Sequence, residues 1–171
     1  MCFHTATYIT AKISPEKVPT DIGTEAQKLT SPPEPVKQKY APQYIRKLWE
    51  TANEMTGAEF NAVTILRITA TAPAVVSQTR LTQDPSSILI VPLTNDEYYR
   101  LVPETYSSHS KRYAMEQPIE SKEFATIHTN RGDAIFIDAK TAESWTPCRM
   151  NSNMRTATGL AIFHAWQGDH V

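Results

Sequence analysis

The sequence predicts a mainly β protein, a sandwich or barrel with one principal covering helix near residues 43–56. Three observations carry this. After Gly57 the apolar residues fall into short, β-branched runs, at 60–70 (FNAVTILRITA), 87–93 (SILIVPL), 112–117, 123–129, 133–138 and 155–166 (RTATGLAIFHAW). Turn signals divide them, Pro118 and Arg131-Gly132-Asp133 among them. One segment has helical period: Ile45, Leu48, Trp49, Ala52 and Met55 recur three or four positions apart, and Gly57 supplies a stop.

In chain order, residues 3–13 read as a strand with Phe3, Thr5, Thr7 and Ile9 on one face. Residues 14–42 carry Pro15, Pro19, Pro32, Pro33, Pro35 and Pro42 without an apolar period, so they form a long Pro-rich surface loop. A segment of that length in a small domain is either a lid that wraps the fold or a passive connector. The helix at 43–56 covers one face of a sheet, with Trp49 in the core. Residues 60–166 form the barrel, and residues 1–171 a single domain. A chain of 171 residues buries about two thirds of its unfolded surface, so it needs no disulfide or structural metal.

Composition removes several function classes. Seventeen basic and 18 acidic side chains give a formal net charge of −1, against nucleic acid and against an anionic membrane surface as partners. Cys2 and Cys148 form no CxxC pair, and two reduced thiols are the simplest reading. Cys148 stands beside Arg149, which would lower its pKa, but a structural thiol is preferred. The N-terminus alternates polar and apolar residues, no apolar run reaches the length of about 18 residues for a membrane span, and no Asn-x-Ser/Thr sequon occurs. A cytoplasmic protein is expected. There is no Gly-rich phosphate loop, no dinucleotide fingerprint and no Ser/His/Asp or Cys/His constellation.

The stretch Gly132-Asp133-Ala134-Ile135-Phe136-Ile137-Asp138, followed by Glu143 and Arg155, resembles the second half of the phytanoyl-CoA dioxygenase-like group. These are Fe(II)/2-oxoglutarate oxygenases built on the double-stranded β-helix, a cupin-like jelly-roll barrel. Thr82-Gln83-Asp84, before the apolar run Ile88-Leu89-Ile90-Val91, is similar to the family's His-x-Asp segment, and Leu101-Val102-Pro103 to His109 is similar to its Val-Pro-Gly-Ser-His stretch. The resemblance covers roughly residues 60–166. It implies an iron-binding His at the eleventh position after the Gly, here Glu143, and a 2-oxoglutarate-binding Arg a dozen residues on, here Arg155. Thr82 and Glu143 thus stand where the family has histidines. Iron of this class takes two imidazoles and a carboxylate, so the resemblance implies a barrel kept and an iron centre lost, with no metal and no cofactor.

The last strand bears on a cavity. By alternation Arg155, Ala157, Gly159, Ala161 and Phe163 share one face, and Thr156, Thr158, Leu160, Ile162 and His164 the other. Either the small residues beside Arg155 line a cavity, or they pack beneath the helix with Gly159 at a bulge. Polar candidates for such a cavity are Gln78, Arg80, Tyr98, Tyr99, Arg100, Glu143, Trp145, Arg149 and Arg155. The favoured reading is a cofactor-independent isomerase or cyclase, of cycloaddition type, acting on an apolar natural-product intermediate. Arg155, Tyr98 or Trp145 would polarise a substrate carbonyl, and Glu143 would orient that donor or move a proton. Gln78, Arg80, Thr82, Asp84, Trp145 and Phe163 would line the substrate site. A homodimer is compatible with the pattern. The alternatives are an Fe(II)/2-oxoglutarate oxygenase with atypical ligands, His109 and His128 among them, and a non-catalytic small-molecule-binding barrel.

Overall fold

In the computed structural model the described residues are 8–13, 18, 36–68, 73–76, 87–150 and 158–165. Nine strands, β1 (Ile9–Lys12), β2 (Ala62–Ile68), β3 (Ala74–Val75), β4 (Ser87–Pro92), β5 (Glu97–Pro103), β6 (Thr126–Thr129), β7 (Asp133–Ile137), β8 (Trp145–Arg149) and β9 (Thr158–Ala165), form two antiparallel sheets. Sheet A has the order β1-β7-β4-β9-β2 and sheet B the order β3-β8-β5-β6. From β2 to β9 the chain passes back and forth between the sheets, the jelly-roll winding of a double-stranded β-helix. The mainly β fold expected from the sequence is the fold found.

The single periodic segment is helix α1 (Gln43–Thr56). Its apolar stripe Ile45, Leu48, Trp49 and Ala52 is fully buried against the outer face of sheet A, with Val63, Ile65, Leu89, Val91, Ala161 and Phe163. Trp49 meets Phe163 edge-on, with centroids 5.4 Å apart at 82°, and its indole N–H donates to Phe60 O at 3.2 Å. Phe163, expected to line the substrate site, instead packs beneath the helix, and Ala161 joins it there, one of the two alternatives for this face. The opposite face of β9 looks between the sheets, where Leu160 and Ile162 join Ile88, Ile90, Ile135, Ile137 and Ile127. The inward side chains of this part of β9 are thus large and branched, not the small residues of the cavity alternative.

Helix α1 stops at Gly57, whose φ of 70° places it in the left-handed region and lets its N–H reach Asn53 O at 2.9 Å. A Cβ added there would meet no atom within 4 Å, so only backbone strain opposes a side chain. Gly57→Ala is expected to lower stability by about 1 kcal/mol, read as a shifted denaturant midpoint with an unchanged slope.

The region 97–150 differs from the sequence reading in three ways. Residues 112–117 are not a strand: Ser108–Glu116 is helix α2, opened by Ser107, whose hydroxyl accepts from Ser110 N. Strands β5 and β8 form the middle of sheet B, and a short helix α3 (Ala139–Ser144) precedes β8. Helix α2 covers the outer face of sheet B, over Val102 and Cys148. Arg100 ties it down: its guanidinium donates to Ala114 O at 2.7 Å, Gln117 O at 3.0 Å, Pro118 O and Thr126 Oγ1 at 2.9 Å. Of the Pro-rich segment, Val36 bridges to Val63 and residues 38–40 form one 3₁₀ turn; most of the rest lies outside the described residues. Among the described residues no helix is long and apolar enough to cross a membrane.

Candidate functional site

The polar groups of the barrel interior follow from strand register. Tyr99 pairs with Arg149, and Glu97 with Thr129, so these side chains share the inward face of sheet B with Leu101 and Ile127. Glu97 and Arg149 are 1% and 0% exposed. Arg149 Nε donates to Glu97 Oε2 at 2.7 Å, and Nη2 reaches Oε1 at 3.5 Å. Thr94 Oγ1 donates to the same Oε1 at 3.1 Å, and Thr129 Oγ1 to the Glu97 carbonyl at 3.1 Å. The pair, which joins β5 to β8, is thus braced by Thr129 on β6 and by Thr94 in the turn before β5.

Tyr99 is different. Its ring is packed in the apolar interior, yet its buried hydroxyl has no hydrogen-bond partner among the described residues. Burial, reinforced by the Glu97 carboxylate and opposed by Arg149, pushes the phenol well above its usual pKa. It is a neutral hydrogen-bond donor in a low-dielectric setting.

The turns beside this cluster brace each other. Arg131 N donates to Asn95 Oδ1 at 2.9 Å, Asp96 N to Asn130 Oδ1 at 3.2 Å, and Asn130 N to Asp133 Oδ2 at 2.8 Å. Gly132, at φ 98°, turns the chain into β7. At this end a cleft of about 150 Å³ opens between β1 and β6, lined by Thr10, Ala11, Lys12, His128, Thr129 and Asp133. Burial raises the Asp133 pKa, but the Lys12 ammonium and the Asn130 amide outweigh it and hold the carboxyl below its usual value.

The opposite end of the interior holds a second polar pair. His164 is 1% exposed, and its Nε2 lies 3.1 Å from Thr64 Oγ1. Its Nδ1 is buried without a partner among the described residues. Desolvation lowers its pKa to about 4, so the ring is neutral at physiological pH.

The expected site residues do not come together in one place. Trp145 lies on the inward face of β8, half-buried opposite Pro103. Tyr98 does not face inward: it shares the outer face with Arg100 and stacks on His128 with centroids 4.7 Å apart. Glu143 stands exposed near the end of α3, outside the interior. Both are corrections, as is Phe163 beneath α1. Gln78, Arg80, Thr82, Asp84 and Arg155 lie outside the described residues. Tyr99 and Arg149, named from sequence as cavity candidates, do point inward. Glu97 and Thr129 were not anticipated; a carboxylate opening a strand next to a Thr-Asn-Asp turn is a weak signal. Cys148 lies on the face opposite Arg149, and burial pushes its thiol up to about 12, so the structural reading of this residue holds.

Among the described residues the donor set does not fit an iron centre of the kind the resemblance implies, and Thr82 and Asp84 lie outside them. The inward positions of β8 are Trp145, Pro147 and Arg149, none of them a metal donor. His109 is exposed on α2, and His128 is on the outer face of β6, 3.1 Å from Asp96. Among the described residues no three His, Cys, Asp or Glu side chains converge on one point.

The architecture is that of a known class of barrel. The chain superposes on HygX from Streptomyces hygroscopicus in its iron-bound form with a TM-score of 0.57 at 10% identity, covering 95% of this chain and 83% of that one. For HygX with nickel and 2-oxoglutarate bound the TM-score is 0.55 at 10% identity, covering 95% and 82%. Apo HygX gives 0.51 at 9% identity, covering 93% and 81%. At such identities the likeness establishes the cupin-like double-stranded β-helix fold. No protein-family model and no curated protein sequence matches the chain.

Proposed function

We propose that the chain is a cofactor-independent isomerase or cyclase that holds an apolar natural-product intermediate in the barrel. The observation that carries this reading is the unpartnered Tyr99 hydroxyl beside the fixed Glu97–Arg149 pair. A rearrangement in which electrons move within the substrate needs a held conformer and one donor where negative charge develops. Tyr99 supplies that donor to a substrate carbonyl. Arg149 adds positive potential beside it, and Glu97 keeps the guanidinium from turning away. Trp145 closes the far end of the same inward face.

Tyr99→Phe is expected to leave stability unchanged or raise it by up to about 1 kcal/mol, because it removes a buried hydroxyl that bonds to none of the described residues. Turnover is expected to fall about a hundredfold or more, the usual loss for a single oxyanion donor. The test is a thermal-shift screen of neutral terpenoid and polyketide enones, followed by mass spectrometry with chelator present. The expected product has the mass of its substrate and forms at least a hundredfold more slowly with Tyr99→Phe. Binding without conversion would make the chain a carrier. The fold shared with HygX, which holds iron, favours a second reading, an oxygenase. Succinate formed from 2-oxoglutarate with iron and ascorbate would establish it and overturn ours.

A further inference from the structure

We propose that the cleft between β1 and β6 binds a small neutral polyol, a hydroxylated ring of about pyranose size. It is a place where the two sheets stand apart, since β1 ends sheet A and β6 ends sheet B. Thr10 and Lys12 pair in register with Ile135 and Asp133, so they turn to the inward side, as Thr129 does with Ile127. The volume of about 150 Å³ sets the size of the guest. An apolar cavity of that volume takes one benzene ring.

The chemistry of the wall sets the class. Lys12 and Asp133 form an ion pair, so the lining carries no net charge. An anion would meet Asp133, and Asp96 behind His128; a cation would meet Lys12. An apolar ring would desolvate these groups and return nothing. A hydroxyl both gives and accepts. Asp133 offers acceptor lone pairs, Lys12 offers N–H donors, and Thr10 offers either. Thr129 has committed its hydrogen to the Glu97 carbonyl, which leaves its oxygen as an acceptor.

Two of the lining groups are also held before any guest arrives. Asp133 is held by Lys12 and the Asn130 amide, and His128 by Asp96 on its Nε2 and the Tyr98 ring on its face. A wall already ordered loses little side-chain freedom on binding. The site is independent of the catalytic reading above, which it touches only through Thr129 and the Glu97 backbone.

The test is a titration of the ¹⁵N-labelled chain, followed through its amide resonances, with myo-inositol and methyl α-glucoside. Cyclohexanol and benzoate serve as ring-sized apolar and anionic controls. Saturable shifts confined to residues 10–12 and 128–133 with at least one polyol are expected, with neither control reproducing them. Asp133→Asn is expected to raise Kd at least tenfold. Thr10→Val, at an exposed position of an edge strand, is expected to weaken binding severalfold in a fold that stays intact. Tyr99→Phe is expected to bind as the parent does. No saturable shift with either polyol, equal shifts with cyclohexanol or benzoate, or unchanged affinity in both cleft variants would overturn the proposal.

Discussion

Replacing Glu97 by alanine is expected to destabilise the protein by about 3–5 kcal/mol, the usual loss when one member of a buried ion pair is removed. Arg149 is 0% exposed, and Glu97 provides the carboxylate at 2.7 Å from its Nε. Without it the guanidinium charge stays in an apolar interior with its nearest counter-charge gone. The double replacement Glu97→Leu with Arg149→Met is expected to recover most of that loss, because an apolar pair of similar volume needs no desolvation. Urea denaturation of the two single variants and the double variant forms a thermodynamic cycle that isolates the coupling. A cost under about 1 kcal/mol for Glu97→Ala would show that the pair is not charge-coupled in the folded state. The pair then would not hold Arg149 beside Tyr99, and the proposed site would lose its support.

Mild acid should weaken the fold through His164. Its pKa falls from 6.5 unfolded to about 4 folded because burial disfavours the charged ring. The unfolded chain therefore binds a proton between these values that the folded chain refuses. The contribution is fully present above pH 6.5 and is lost progressively as pH falls from 6.5 towards 4. Two and a half units correspond to about 3 kcal/mol. Asp133, held below its usual pKa, titrates beneath this window. Denaturant midpoints at pH 7 and pH 4.5 measure the effect. His164→Gln should flatten the slope over that interval, and an undiminished slope would assign the acid response to other groups.

Helix α1 and the apolar strands β4, β7 and β9 were legible because burial imposed a simple period on them. Strands β5 and β8 were not. Both faces of each are covered, and the covered positions include Glu97, Arg100 and Arg149, whose charges break an apolar run. Helix α2 buries only Ala114 and Met115, so its period is faint and its polar surface reads as loop. The candidate site suffered from a parity problem. Tyr98 and Tyr99 are adjacent, and only strand register decides which enters the interior. The short helix α3, capped by Asp138 accepting from Thr141 N at 2.8 Å, carries Glu143 out to solvent, and its single turn left no period to read. The resemblance gave the fold correctly, since the Gly-Asp turn and the strand after it survive. It misled on Glu143, which stands exposed near the end of α3 rather than in the interior.

The place of β9 has a consequence for how the chain reaches its native state. It follows every other strand in sequence yet lies between β4 and β2, pairing with both. Thr64 and His164 touch across 100 positions of chain. Until β9 inserts, β2 and β4 each present an unpaired margin of β-branched residues, the kind of edge that recruits foreign strands. Closing contacts of such long sequence separation is slow. During synthesis the incomplete sheet is exposed while all of the intervening residues are made, so aggregation of nascent or C-terminally shortened chains, rather than unfolding of the finished barrel, is the main hazard for this protein.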